Sequence, residues 1–284
     1  MATTASAAAS DDRPLVKRHR GVVRIWHWIN AVTVFVMLMS GLMIFNAHPR
    51  LYWGHYGANP DVAWLEIGST GDAGFVRVGP VHVPTTGVLG YWHDKNGALQ
   101  RRAFPGWATI PGGYSLSAAR RWHLFFAWLL VVPGVLFWLW SLTRGHVRDL
   151  TPTRAELTPA HVWADVKNHA RLRFPAGQAA LKYNILQKLS YFGVVFGLLP
   201  LLVLTGLGMS PGMVAAWPWL LDLFGGRQSA RSLHFIAMAL LAGFILVHLT
   251  MVLLAGPYNE VRSMVTGRFR LPPERADAKQ EELA

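Results

Sequence analysis

The chain holds twelve histidines and no cysteine. Four of those histidines, His27, His123, His234 and His248, fall inside stretches that are otherwise almost wholly apolar. An ionisable ring in such a stretch is costly unless it faces a bundle interior or a cofactor. A helix–helix hydrogen bond can account for one such residue, but not as readily for four at matching depths. His248 follows His234 by fourteen residues, roughly 21 Å along a helix at 1.5 Å per residue. Fourteen steps of about 100° bring the two rings back to within about 40° of each other, so both point into one interior. Two imidazoles on opposite sides of an iron make a six-coordinate haem that passes electrons and has no open position for oxygen. Without cysteine there is no disulfide, no CxxCH-attached haem and no thiolate-bound iron–sulfur cluster. Histidine is left as the ligand of any redox centre, and the haem it holds is non-covalent, of the b type.

The elements that must carry these rings are membrane helices. Hydrophobic residues make up 52% of the chain and charged ones 15%, below the roughly 25% charged of a soluble domain. The apolar residues gather into four stretches, at about 25–45, 122–142, 185–208 and 232–255. Each is close to the roughly 20 residues of helix that cross a hydrocarbon core. A fifth patch, 213–224, is too short and lies among Pro211 and Pro218; it reads as a short helix or loop at the interface. The expected fold is an all-α membrane protein, a bundle of four transmembrane helices enclosing two haems b, with one long outer loop.

The net charge is +12, and its distribution reads as topology, with no nucleic-acid partner. Most basic residues flank the first helix, fill the 143–188 connection or follow Pro257, and the positive-inside rule places both termini in the cytoplasm. The basic N-terminal region leads into the first apolar stretch with no A-x-A-like cleavage site, so it reads as an uncleaved first helix. His27 then lies near the inner face, His123 and His234 near the outer face, and His248 near the inner. The outer pair is His123 with His234, and the inner pair is His27 with His248. Gly41 and Gly134 recur at the outer and inner depths respectively, where glycine leaves room for a porphyrin face; close helix packing is the alternative. Arg24, Arg120, Arg121 and Arg231 flank the histidines and could neutralise haem propionates, although headgroup contact or topology explains them equally. Trp26, Trp28 and Trp122 suit an interfacial belt.

The whole of 1–284 reads as one membrane cytochrome domain. An N-terminal tail, 1–20, begins with twelve small and polar residues and is expected to be disordered. The 46–120 connection is the outer, periplasmic loop, rich in Gly, Pro and Trp, with an alternating strand pair at 75–83 around Gly79-Pro80. A connection this long is usually functional. Its Trp and Tyr residues (Tyr52, Trp53, Tyr56, Trp64, Tyr91, Trp92, Trp107) suit either a protein interface or a self-packed cap. The 143–183 connection is cytoplasmic and carries an interfacial helix at about 158–171. The 272–284 tail is charged and expected to be mobile.

The stretches RIWHWINAVTVFVMLMSGLMIF, RRWHLFFAW and RSLHFIAMALLAGFILVHL resemble the bacterial di-haem cytochrome b subunits of nickel–iron hydrogenases, formate dehydrogenases and thiosulfate reductases. The resemblance covers essentially all four helices. It implies that His27, His123, His234 and His248 are haem ligands, paired as above. It also implies electron exchange between a periplasmic catalytic partner and membrane quinone, at the bacterial inner membrane. HPRLYWGHYG and FPGWATIPGGYSL look like the thiosulfate reductase branch, which often accompanies a molybdopterin oxidoreductase. Two rival readings stay open: a stand-alone superoxide:quinone oxidoreductase of the same fold, and a non-redox transporter or anchor.

Overall fold

The computed structural model describes residues 13–273. In chain order the elements are β1 (Leu15–Lys17), α1 (Gly21–Phe45), β2 (Arg50–Leu51), β3 (Leu65–Thr70), β4 (Ala73–Val78), β5 (Val81–Pro84), β6 (Trp92–His93), β7 (Leu99–Gln100), α2 (Leu116–Thr143), α3 (His146–Leu150), α4 (Pro159–Ala170), α5 (Ile185–Phe192), α6 (Leu199–Met209), α7 (Pro211–Ala216), α8 (Trp219–Phe224), α9 (Arg227–Ala255), α10 (Pro257–Thr266) and β8 (Arg268–Arg270). Four helical stretches are long and apolar enough to cross a membrane: α1, α2, Gly177–Met209 and α9. Between 11% and 28% of each apolar window is buried inside the protein. The remaining surface, including Phe35, Trp128 and Leu246, needs lipid as its solvent. The chain is a membrane protein with four helical spans.

Helix α2 begins at Leu116, ahead of the expected 122, because Ser115 caps it by accepting the Ala118 N–H at 3.3 Å. The third span is not uniform, since a π-helical stretch, Gly193–Leu198, joins α5 to α6. Pro200 follows at once; it lacks the N–H and its ring crowds the carbonyl four residues back, which favours a widened turn there. The 213–224 patch forms the short helices α7 and α8 and does not span.

The chain divides into two compact units. The larger comprises Trp26–Arg144 and Tyr191–Leu246. Within it α1 packs on α2 through Trp26 stacked on Phe137 at 4.1 Å, and α2 on the third span through Trp138 against Phe196 at 5.2 Å. The loop between α1 and α2 is a folded body. Strands β2–β3–β4–β5 form a continuous antiparallel sheet, with Leu65 opposite Val78 and Val76 opposite Val83. Its core is Phe45, Leu51, Leu65, Ile67 and Ala103, and Trp64, Phe104 and Phe235 pack on it. The loop is also tied to the start of α9. The Gly54 carbonyl accepts from Gln228 and Ser229 N–H at 3.1 and 3.2 Å, so the loop supplies a helix cap. Gly226 must be glycine for this approach: its φ is +111°, and a Cβ there would lie 2.5 Å from the Gly54 oxygen. Trp64 Nε1 donates to Ser232 Oγ at 2.9 Å, which donates to the Tyr52 carbonyl at 2.6 Å.

The smaller unit comprises Met1–Ile25, Gly145–Ser190 and Val247–Ala284. Strands β1 and β8 pair antiparallel in it, with Val16 opposite Phe269. This corrects the expected disordered tail of residues 1–20 as far as 13–20 are concerned. Leu15 and Val16 give the segment an apolar strand partner, and Arg18 lies over the Phe269 ring at 4.3 Å and pairs with Glu260 at 3.0 Å. Residues 1–12 lie outside the described residues. So do 274–284, which make up most of the expected mobile tail. Helix α4 occupies the position expected of the 158–171 helix. Lys188 holds Glu156 at 2.7 Å, and this hydrogen bond is the first cause lowering the Glu156 carboxyl to about 2.

Candidate functional site

The larger unit brings the ring of His123 on α2 and that of His234 on α9 opposite each other, at the end where the α1–α2 loop sits. Their ring centres are 6.2 Å apart and their planes 60° from parallel. Each ring has one nitrogen already engaged. His123 Nδ1 meets Ser40 Oγ of α1 at 3.1 Å, and His234 Nδ1 meets Thr205 Oγ1 of α6 at 2.9 Å. Both hydroxyls give their own proton to a carbonyl of their own helix. Ser40 donates to Met37 O at 3.2 Å and Thr205 to Leu201 O at 2.6 Å. A hydroxyl that has donated its proton can only accept, so Nδ1 carries the hydrogen on both rings. That leaves Nε2 of each ring with its lone pair, the form a metal takes.

Glycine follows each hydroxyl residue. A Cβ on Gly41 would stand 3.5 Å from His123 Cε1, and one on Gly206 would stand 3.6 Å from His234 Cε1. The two half-sites therefore match: a Ser-Gly step on α1 holds His123, and a Thr-Gly step on α6 holds His234. The arrangement fits an iron between the rings. Two metal–imidazole bonds of about 2 Å, plus roughly 1 Å from each nitrogen to its ring centre, put the centres about 6 Å apart. Ser40, Thr205 and Gly206 are absent from the sequence reading. The signal for them was the pair of dipeptides Ser40-Gly41 and Thr205-Gly206 in otherwise apolar spans.

The other expected site residues are placed differently. His27 lies in the larger unit, edge-on to Trp28 at 5.2 Å. His248 lies in the smaller unit on the last two turns of α9. Their pairing rests on sequence spacing. No described atom lies within 4 Å of the point where a Gly134 Cβ would stand, so no neighbouring side chain requires glycine there. Arg24 donates to the Val265 carbonyl, a backbone anchor within its own unit. Arg121 is exposed on α2. Arg231 donates to the carbonyls of His48 and, at 3.0 Å, Arg50, and lies 5.7 Å from the Phe45 ring centre. These bonds use part of its donor fork.

Residues 18–267 match the family described as prokaryotic cytochrome b561. The chain is 25% identical over 240 residues to a putative protein-methionine-sulfoxide reductase subunit YedZ1 of Azospira oryzae, covering 83% of this chain and 90% of that protein. It is also 25% identical over 271 residues to the putative cytochrome YdhU of Escherichia coli, covering 93% of this chain and 78% of the relative.

Proposed function

The chain belongs to the prokaryotic cytochrome b561 family, a haem b electron-transport protein of the membrane, and from that premise we propose that it is a di-haem subunit passing electrons between a redox enzyme docked on the α1–α2 loop and membrane quinone. The observation that carries the reading is the opposed pair His123 and His234, each fixed as the Nδ1–H tautomer by a hydroxyl on a third or fourth helix. Bound haem supplies one-electron chemistry at its iron. Everything else is done by the chain. His123 and His234 present two Nε2 lone pairs, Ser40 and Thr205 fix the ring orientations, and Gly41 and Gly206 keep both ring edges clear. Sequence spacing alone assigns His27 and His248, with Gly134, to the second haem. A haem held by two histidines in this way would pass electrons and offer no position for oxygen.

The loop favours a partner enzyme over a stand-alone activity. It is folded and capped onto α9, yet Tyr56, Trp107 and Trp53 stay 88%, 81% and 53% exposed. Large aromatics left in water on a rigid body suit a protein interface. One relative's description as a reductase subunit supports the same arrangement. The partner class remains the molybdopterin oxidoreductase implied by the resemblance. The loop then faces the periplasm and both termini face the cytoplasm at a bacterial inner membrane, with Arg24 and Arg121 at the helix ends among lipid headgroups. A pyridine haemochrome assay on the purified chain tests the reading: it expects two haems b per chain, extractable by acid–acetone. One haem or none would remove it.

A further inference from the structure

At the loop end of α9, two buried polar atoms have no hydrogen-bond partner, and a guanidinium beside them has N–H groups beyond the two it uses. Tyr52 is 3% exposed, and its fully shielded hydroxyl makes no hydrogen bond of good geometry. His48 Nε2 is equally shielded and unbonded. The Arg231 guanidinium, less than one helical turn from His234, gives two of its bonds to the His48 and Arg50 carbonyls and has N–H groups left over. These three form one group. The His48 and Tyr52 rings stack at 5.8 Å, the Tyr52 hydroxyl lies within electrostatic reach of both Arg231 and Arg50, and Ser232 pins the Tyr52 carbonyl.

Native interiors leave few buried polar atoms unpaired, so two in one place, beside a guanidinium with N–H groups to spare, mark a missing partner. No side chain in this cluster supplies it. The carboxylate paired with Arg50 is Glu66, and Arg50 and Arg77 already engage both its oxygens. An arginine fork, a phenol O–H and an imidazole N–H together recognise an anionic carboxylate.

We propose that Arg231, Tyr52 and His48 hold a propionate carboxylate of the haem bound between His123 and His234, so that the outer loop closes part of that haem's pocket. The proposal rests on the two-haem reading above. Burial, then the charges of Arg231 and Arg50, lowers the His48 pKa, so the ring is neutral at neutral pH. A neutral imidazole offers one N–H to a carboxylate. A propionate there would meet Arg231 in the first turns of α9, and the loop that supplies His48 and Tyr52 is already latched to the same helix end through Gly54 and Ser232.

The test is a potentiometric titration of the purified full-length chain, with the loop-end haem assigned by its loss in His123→Ala. Tyr52→Phe removes only a hydroxyl, and His48→Phe keeps a ring to stack on Tyr52. Each is expected to retain both haems and to lower the midpoint potential of the loop-end haem alone, because a less neutralised carboxylate favours ferric iron. Arg231→Gln is expected to lower it further, and Arg231→Lys, which keeps the charge and loses the fork, to fall between. The other haem reports the intactness of the fold in every variant. Two haems with an unmoved loop-end potential in Tyr52→Phe and His48→Phe would overturn the clamp, as would equal shifts of both haems. A wild-type chain without haem would instead overturn the reading on which the clamp rests.

Discussion

A hydroxyl that accepts a hydrogen bond from imidazole Nδ1 fixes the tautomer and the plane of the ring, and it raises the basicity of the remaining nitrogen. Ser40 and Thr205 do this for His123 and His234. Ser40→Ala and Thr205→Val are therefore expected to weaken retention of the loop-end haem by about 10–100-fold and to leave the other haem in place. Haem loss to apomyoglobin, followed in each α-band, measures this. Loss of both haems together would count against it. Gly206 gives a sharper test. A Cβ at 3.6 Å from His234 Cε1 is ordinary contact, so Gly206→Ala should keep the haem and Gly206→Leu should expel it. His123 and His234, which the structure brings together, stood out in the sequence because an imidazole in an apolar span is anomalous. Ser40 and Thr205 did not, because such hydroxyls in membrane helices ordinarily bond back to their own carbonyls and raise no alarm. The arginines were legible as charges, but Arg24 and Arg231 bond to backbone carbonyls that no spacing rule locates.

Among the elements, the four spans could be read from apolar length alone, and the β4–β5 hairpin from its alternation around Gly79-Pro80. Strand β3 could not. Leu65, Glu66 and Ile67 are all buried, so the inward–outward alternation that marks a strand is missing, and Glu66 reads as a surface residue. It is held inside by Arg50 and Arg77, both paired with it at 2.5 Å. Burial pushes the Glu66 carboxyl up, but the hydrogen bonds and charges of Arg77 and Arg50 outweigh this and hold it below its ordinary value of 4.5. A lowered folded pKa means that stability is present above 4.5 and is lost as pH falls through the folded value. Near-UV circular dichroism of the loop tryptophans should fade on acidification below that point in the wild type. Glu66→Gln should lose about 1–3 kcal/mol of loop stability and show a weaker acid transition. An unchanged acid transition in Glu66→Gln would assign the effect to another group. The π stretch before Pro200 has no sequence signature beyond the proline, since widening of a helix depends on its packing.

On the scale of the whole molecule, one chain combines a folded loop, an opposed pair of histidines and a lipid-facing bundle. The docking reading rests on the exposed aromatics, because the loop core packs against Phe235 and the loop caps α9, so that deleting it would disturb the bundle as well. Tyr56→Ser with Trp107→Ser is expected to leave both haem spectra and reduction by artificial quinols unchanged and to slow electron exchange with the partner enzyme at least tenfold, the loss of about 1.4 kcal/mol or more that an interface anchor contributes. Exchange at the wild-type rate would make the loop a cap only. Spectroscopic redox titration of His27→Ala, His123→Ala, His234→Ala and His248→Ala decides whether two haems are each gripped by two particular histidines. Two matched classes are expected: His123→Ala and His234→Ala lose one and the same haem and keep the other at its wild-type potential, and His27→Ala and His248→Ala do the reverse. Any other pairing, such as His27→Ala and His234→Ala losing the same haem, would contradict it.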